Sequence, residues 1–389
     1  MKHLADEDWR KGGFGLYLHW PFCTSKCPYC DFNSHVASAV DQKVWARAYL
    51  SEIERLGAET QGRILQTIYF GGGTPSLMEP ELVATILEKV QSTWQMVNDP
   101  EITLEANPGS VEAGRFRGFR EAGVNRISMG MQAMNDTDLR ALGRMHSAAE
   151  AIRAFDTARS CFDRVSFDLI YARQNQSLEE WRKELSQALA LAVDHLSLYQ
   201  LTIEEGTVFE ERRARGMLRG LPEEGLSADM YELTQELCDA AGMSAYEVSN
   251  HAKRGSESRH NLIYWRGGDY LGIGPGAHGR VTRGGNRYAT EAPKSPALWL
   301  EMAEKGYAEL PRISLSSEER GIEYVLMSLR LSEGLEIRRL ESISGTALDK
   351  GAISELESLG LISVGNERLF TTQSGRMLLN GVIRKLVGA

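Results

Sequence analysis

The 389-residue sequence lacks the marks of several large protein classes. It has five cysteines, an odd number with three of them inside eight positions, which is no secreted disulfide framework. No run reaches the roughly 18 apolar residues of a membrane-spanning helix. The charged start MKHLADEDWRKGG has no apolar stretch of the kind a secretory signal needs. A cytoplasmic location without a transmembrane segment is therefore expected. A basic excess is missing too: the net charge is −9, which repels nucleic acid unless a local basic patch overcomes it, and no such patch is evident. Internal repeats and low-complexity tracts are also absent. What remains is ordinary globular usage, 42% hydrophobic and 25% charged.

The chain exceeds the roughly 250–300 residues at which single cores stop growing, so more than one unit is expected. Short β-rich runs at 16–19, 67–70, 102–105, 126–129, 165–169 and 195–201 alternate with helical spacing, as in Leu82, Ile86 and Val90 or Ile152, Phe155 and Ala158. Alternation of this kind means βα units and a parallel sheet, hence an α/β fold. Six such units form an open sheet or a partial barrel, and both place function at the C-terminal strand ends. The cysteines follow the first of these runs, and Gly71-Gly72-Gly73 follows the second.

From 246 to 310 the chain is rich in Gly, Pro, Asn and aromatics, which reads as an irregular connection lying over the barrel. Helical patterns return at 317–331, 336–343 and 346–359, followed by strands at 361–364 and 368–371 around Gly365-Asn366, the order of a winged helix. Residues 311–389 hold ten basic and ten acidic side chains, whereas a DNA-binding module should be basic. A docking or lid role is expected for this smaller, mostly helical domain. The expected units are a core at 1–245, the connection at 246–310 and the C-terminal domain at 311–389.

Cys23, Cys27 and Cys30 are spaced so that one short loop can wrap three thiolates around one metallic corner. Three cysteines leave one iron of a cubane open, as an open position marks a catalytic zinc site. Two other readings stand beside this one. A structural zinc would need His19 or His35 as a fourth ligand, and a redox Cys-x-x-Cys pair would leave Cys23 without a role. Cys161 and Cys238 fall in helical patterns and are expected as buried small hydrophobes. Gly272 to Ala277 fits GxGxxG/A, but no helix follows and Glu291 comes too early, so nucleotide binding there is rejected.

The segment CTSKCPYC resembles the CxxxCxΦC loop of the radical-SAM superfamily, with Tyr29 at the aromatic position, and GGGTP at 71–75 is similar to its glycine-rich motif. The likeness extends to the branch that contains oxygen-independent coproporphyrinogen III oxidase and the HemW-type haem chaperones. It is carried by LYLHWPFCTSKCPYCDFNSH, YFGGGTPSL, LEANPG, GVNRISMGMQ, LGRMH, HNLIYW and GDYLGIGPGAHG, which span most of the chain.

The resemblance implies a partial (βα)6 TIM-like barrel and a [4Fe-4S] cluster on Cys23, Cys27 and Cys30. It also implies an S-adenosylmethionine site lined by Tyr17, Gly72, Gly73, Thr74, Glu105, Gln132, Arg144 and Asp168. Glu105 and Asp168 end strands and can accept hydrogen bonds from ribose hydroxyls or the methionine ammonium, and Arg144 can pair with a carboxylate. Taken singly, such residues are caps or surface pairs. After Asp168 the family pattern is close to YGLPxQ, whereas this chain has YARQNQ at 171–176, so contacts there do not carry over.

Branch members that decarboxylate coproporphyrinogen carry a fourth cysteine, CxxxCxxCxC, and a longer N-terminal extension. Phe32 stands at that cysteine's position. The resemblance therefore implies a haem chaperone that binds haem and passes it to apo-haemoproteins, with an electron donor as a further partner. Oxygen-independent coproporphyrinogen III oxidase is the alternative. His19, His35, His146, His251, His260 and His278 are the candidate haem ligands, and the stretch from His260 to Trp265 is read as a loop that grips a flat macrocycle or as an aromatic lid. Arg115, Arg117, Arg120 and Arg126 form a basic stretch, either a partner for propionates or a solvated helix face.

Overall fold

The computed structural model describes residues 7–37, 39–108 and 113–388; Gly109 of LEANPG lies outside them. The strands, in chain order, are β1 (Phe14–Trp20), β2 (Phe22–Cys23), β3 (His35–Val36), β4 (Ile64–Gly72), β5 (Gln95–Ala106), β6 (Arg126–Gln132), β7 (Arg164–Tyr171), β8 (His195–Gln200), β9 (Asn250–Ala252), β10 (Asp269–Ile273), β11 (His278–Arg283), β12 (Asn286–Glu291), β13 (Ile313–Leu315), β14 (Leu335–Glu336), β15 (Ile362–Gly365) and β16 (Arg368–Thr371). β1, β4, β5, β6, β7 and β8 lie side by side in parallel, with helices between them, and are the six expected strands. Ser147 and Ser177 start two of the connecting helices with capping boxes to Glu150 and Glu180, a start written directly in the sequence.

Alternation along these strands sorts the two faces of the sheet. Ile68, Phe70, Leu104, Ile127, Phe167 and Leu196 point outward into the helix layer and are fully buried. Thr67, Thr103, Arg126, Ser166 and Ser197 occupy the alternate positions, also buried. A (β/α) barrel whose interior is filled with branched apolar side chains is a solid core. Here the inner face is polar, and a cavity of about 790 Å3 opens inside it.

The segment 246–310 departs from expectation. It is regular, and it extends the sheet at both edges: β9 pairs antiparallel with β8, while β10 pairs parallel with β1 and leads into β11, β12 and β13, giving eleven strands among the described residues. The glycines that read as loop markers sit inside strands where another backbone comes close; a Cβ on Gly272 would lie 2.1 Å from the His278 carbonyl oxygen. Asp269, with no exposed surface, ties this extension together. Its carboxylate meets Arg63 at 2.7 Å and Arg287 at 3.0 Å and accepts from the Thr282 hydroxyl.

The C-terminal unit has its own apolar core, built on Val325, Leu329, Leu340, Leu369 and Ile383. Its order of helix, β14, two helices, β15 and β16 is that of a winged helix, with β14-β16-β15 as the sheet. Asn366 and Glu367, both at positive φ, make the tight turn of the wing. Salt bridges of Arg339 to Asp8, Arg266 to Glu333 and Arg280 to Glu323 dock the unit on the core. Among the described residues no helix is long and apolar enough to cross a membrane. Asp269→Ala leaves two guanidiniums without their buried counter-charge, so it is expected to destabilise the protein by about 3–5 kcal/mol. A fall in the urea midpoint tests this, and a wild-type midpoint contradicts it.

Candidate functional site

β2 and β3 pair in parallel, Phe22 with His35 and Cys23 with Val36, and so clamp the neck of the loop that carries the three cysteines. Other elements then hold the loop from outside. Gly73 and Thr74, just past β4, donate their N–H groups to the carbonyls of Trp20 and Phe22 at 2.7 and 2.9 Å. Pro28 accepts from the Phe209 N–H at 2.9 Å, and Asn33 donates to the carbonyls of Pro275 and Lys294, both at 2.9 Å. The GIGPGA segment that imitates a nucleotide motif is thus a brace for the cysteine loop, and strand β11 follows it, not a helix.

Cys23, Cys27 and Cys30 line the mouth of the barrel cavity. Thr74 donates its hydroxyl to Cys23 Sγ at 3.4 Å, and Arg144 points Nη1 at Cys27 Sγ, 3.3 Å away, while Nη2 is held by the Gly130 carbonyl. Burial pushes the Cys23 and Cys30 thiols up, only partly opposed by the Thr74 hydroxyl and the Arg144 charge at Cys23 and by the Phe32 backbone at Cys30. His19 is no fourth ligand, because its two ring nitrogens are taken by the Tyr17 hydroxyl and the Asn33 carbonyl. His35 is turned to the Asn33 side chain.

Deeper on the same wall stand two carboxylates. Glu105 accepts from the Tyr69 hydroxyl at 2.8 Å and the Gly72 N–H at 3.2 Å, yet burial raises its pKa to about 7. Asp168 receives both contacts of the Gln132 amide, at 3.0 and 2.9 Å, and burial raises it to about 6. Asp168 lies within β7, three residues before its end, and not at the strand end. Two buried carboxylates that are hydrogen-bonded but, among the described residues, have no ion-pair partner, with Arg144 and Arg126 acting on them only through space, give this wall two groups that can meet a cation.

Of the residues expected here, Tyr29, Gly72, Gly73, Thr74, Glu105, Gln132, Arg144 and Asp168 line the cavity with the three cysteines. Tyr17 stands behind them, stacked on Tyr69 and against Gly71. The stretch from His260 to Trp265 is a helix, Arg259–Trp265, and not a gripping loop. His260 is buried, with its nitrogens on Thr67 and Tyr264 at 2.7 and 2.6 Å, and burial lowers its pKa to about 3.

Among the other candidate haem ligands, His146 is buried against the Met131 carbonyl, His251 is fully buried in β9 and His278 is exposed beside Glu291. Arg126 is separate from the surface arginines at 115, 117 and 120: only 3% exposed, it lies on the inner face of β6 and bonds the Ser166 hydroxyl at 3.0 Å. Cys238 is buried as expected, but Cys161 is partly exposed.

Several cavity residues escaped the motif reading. Arg126, Ser128 and Gly130 on β6, on the same face as the expected Gln132, and His195, Ser197 and Tyr199 on β8 all face the cavity, and their spacing of two is the signal that marks one strand face. The YARQNQ loop has its own support: Tyr171 stacks on Trp181 at 5.0 Å, and buried Arg173 pairs with Glu184 and Asp138, both at 2.6 Å.

The radical SAM superfamily profile matches residues 17–188, and the HemN C-terminal domain profile matches residues 315–378. The chain is 38% identical to the heme chaperone HemW of Escherichia coli (strain K12), over 95% of this chain and 96% of that protein. It is 37% identical to the mitochondrial radical S-adenosyl methionine domain-containing protein 1 of Bos taurus, over 96% of this chain and 87% of that one. The solved coproporphyrinogen III oxidase (HemN) of Escherichia coli superposes with a TM-score of 0.80 at 22% identity, covering 98% of this chain and 92% of the other, which is a likeness of fold.

Glu105 and Asp168 hold protons in the folded state at pH values where the unfolded chain has released them. Their contribution to stability is complete below about pH 4 and is lost as the pH rises through about 6 for Asp168 and about 7 for Glu105. Glu105→Gln should flatten the decline of the urea midpoint between about pH 5 and 7. An unchanged slope contradicts the assignment.

Proposed function

The chain belongs to the radical SAM superfamily, in the group of the heme chaperone HemW and its mitochondrial relatives, and on that premise we propose that it binds haem and delivers it to apo-haemoproteins. The family implies a [4Fe-4S] cluster and S-adenosylmethionine. On our reading Cys23, Cys27 and Cys30 hold the cluster, and Tyr29, Gly72, Gly73, Thr74, Glu105, Gln132, Arg144 and Asp168 receive S-adenosylmethionine, with Tyr17 bracing them from behind.

The residues fit these groups. Three thiols share one rim while the nearby His19 and His35 are turned to other partners, which suits a cubane that keeps one iron for another ligand. Iron charge would reverse the effect of burial on Cys23 and Cys30. A bound sulfonium and ammonium would draw Glu105 and Asp168 into the charged form that burial otherwise disfavours. When bound, the cluster supplies the electron that cleaves S-adenosylmethionine reductively. The chain's own part is to place and shield. Gln132 fixes the Asp168 carboxylate, Tyr69 and Gly72 fix Glu105, and Arg144 sets a positive charge beside the Cys27 sulfur.

The observation that carries the chaperone reading is Phe32. It lines the cavity mouth, 56% exposed, where the decarboxylating members of the branch have a fourth cysteine. This reading requires a client apo-haemoprotein and an electron donor as partners, and the charge-balanced C-terminal unit is read as a docking module and not as a DNA reader.

The test is an anaerobic incubation of the reconstituted protein with reductant, S-adenosylmethionine and coproporphyrinogen III, beside a titration with haem. Stoichiometric haem binding without protoporphyrinogen is expected. Protoporphyrinogen formation would overturn the reading in favour of the oxidase.

A further inference from the structure

The seam between the barrel and the C-terminal unit carries a second groove, of about 560 Å3, within the range of roughly 300–1,000 Å3 common for small-molecule sites. Its walls include Val248, Leu356, Leu361, Leu379 and Val382, an apolar surface extended at the rim by the exposed Met377 and Leu378. Two arginines, Arg330 and Arg376, stand half-buried in it. Other arginines at this seam have carboxylate partners: Arg266 has Glu333, Arg280 has Glu323 and Arg339 has Asp8. Even Lys385 in the groove is paired, with Glu355 at 2.7 Å.

Among the described residues Arg330 and Arg376 have no ion-pair partner. Arg330 lies 5.7 Å over the Trp265 ring, and Glu247, whose carboxylate is occupied by the Ser249 N–H and the Asn250 amide, bears on it only through space.

Half-buried guanidiniums without counter-charge present planar forks shaped for carboxylates. Two of them in an apolar groove are complementary to a flat apolar molecule that carries two carboxylates. The groove also shares Val248 and Asn380 with the barrel cavity, so an occupant sits beside the proposed S-adenosylmethionine site. Resting on the haem-binding reading above, we propose that this groove seats the haem, with Arg330 and Arg376 each holding one propionate and the apolar walls taking the macrocycle.

The test uses the full chain with its cluster in place, titrated with haem and with haem dimethyl ester and followed by the Soret band. The R330Q/R376Q variant should bind haem at least tenfold more weakly than the wild type and the dimethyl ester equally well, because the ester has no carboxylates for the arginines to hold. Leu378→Glu, a change at a rim position that is 57% exposed, should also weaken haem binding. If both variants bind haem like the wild type, the groove assignment is overturned while the chaperone reading stands. If the wild type binds no haem, both fall.

Discussion

The cysteine loop keeps its place because three turns that touch it have no side chain at the point of contact. A Cβ on Gly73 would lie 2.7 Å from the Phe22 carbonyl oxygen and 3.0 Å from Cys23 Sγ; one on Gly143 would meet Pro28 at 2.5 Å; one on Gly276 would meet the Asn33 amide at 2.6 Å. These glycines come from GGGTP, LGRMH and GPGAHG, three motifs far apart in the chain. Gly143 and Gly276 also have positive φ, a conformation L side chains rarely adopt. Everything proposed for the site depends on this convergence, because a loop of eleven residues has no hydrophobic core of its own to fix three sulfurs at one rim.

The same closeness shapes the charge of the molecule. Polar residues on the inner strand faces keep the barrel from filling, and the resulting cavity presents Glu105 and Asp168 to a cation. The neighbouring groove presents Arg330 and Arg376 to an anion. The two share a wall at Val248 and Asn380.

Much of this was legible in the sequence, for identifiable reasons. The six parallel strands announced themselves as β-rich runs, and the cysteine and glycine motifs at successive strand ends located the cavity mouth before any geometry. The segment 246–310 was misread because Gly272 and Gly279 serve strand-to-strand contact, and composition alone does not distinguish that use from a turn. Arg126 was grouped with Arg115, Arg117 and Arg120 by nearness in sequence, although it opens a strand and they belong to a helix. His260 drew attention by its aromatic neighbours, but its partners Thr67 and Tyr264 include one almost two hundred residues away, which no local pattern reveals. The docking of the C-terminal unit through Asp8 and Arg339 is hidden for the same reason.

The central claim is that three cysteines hold a [4Fe-4S] cluster at the cavity mouth with one iron left for S-adenosylmethionine. The most direct measurement is the electron paramagnetic resonance spectrum of the anaerobically reconstituted, reduced protein, recorded before and after S-adenosylmethionine is added. The signal of a reduced [4Fe-4S] cluster whose g values shift on addition is expected. A cluster signal that S-adenosylmethionine leaves unchanged, or no cluster signal at all, would contradict it.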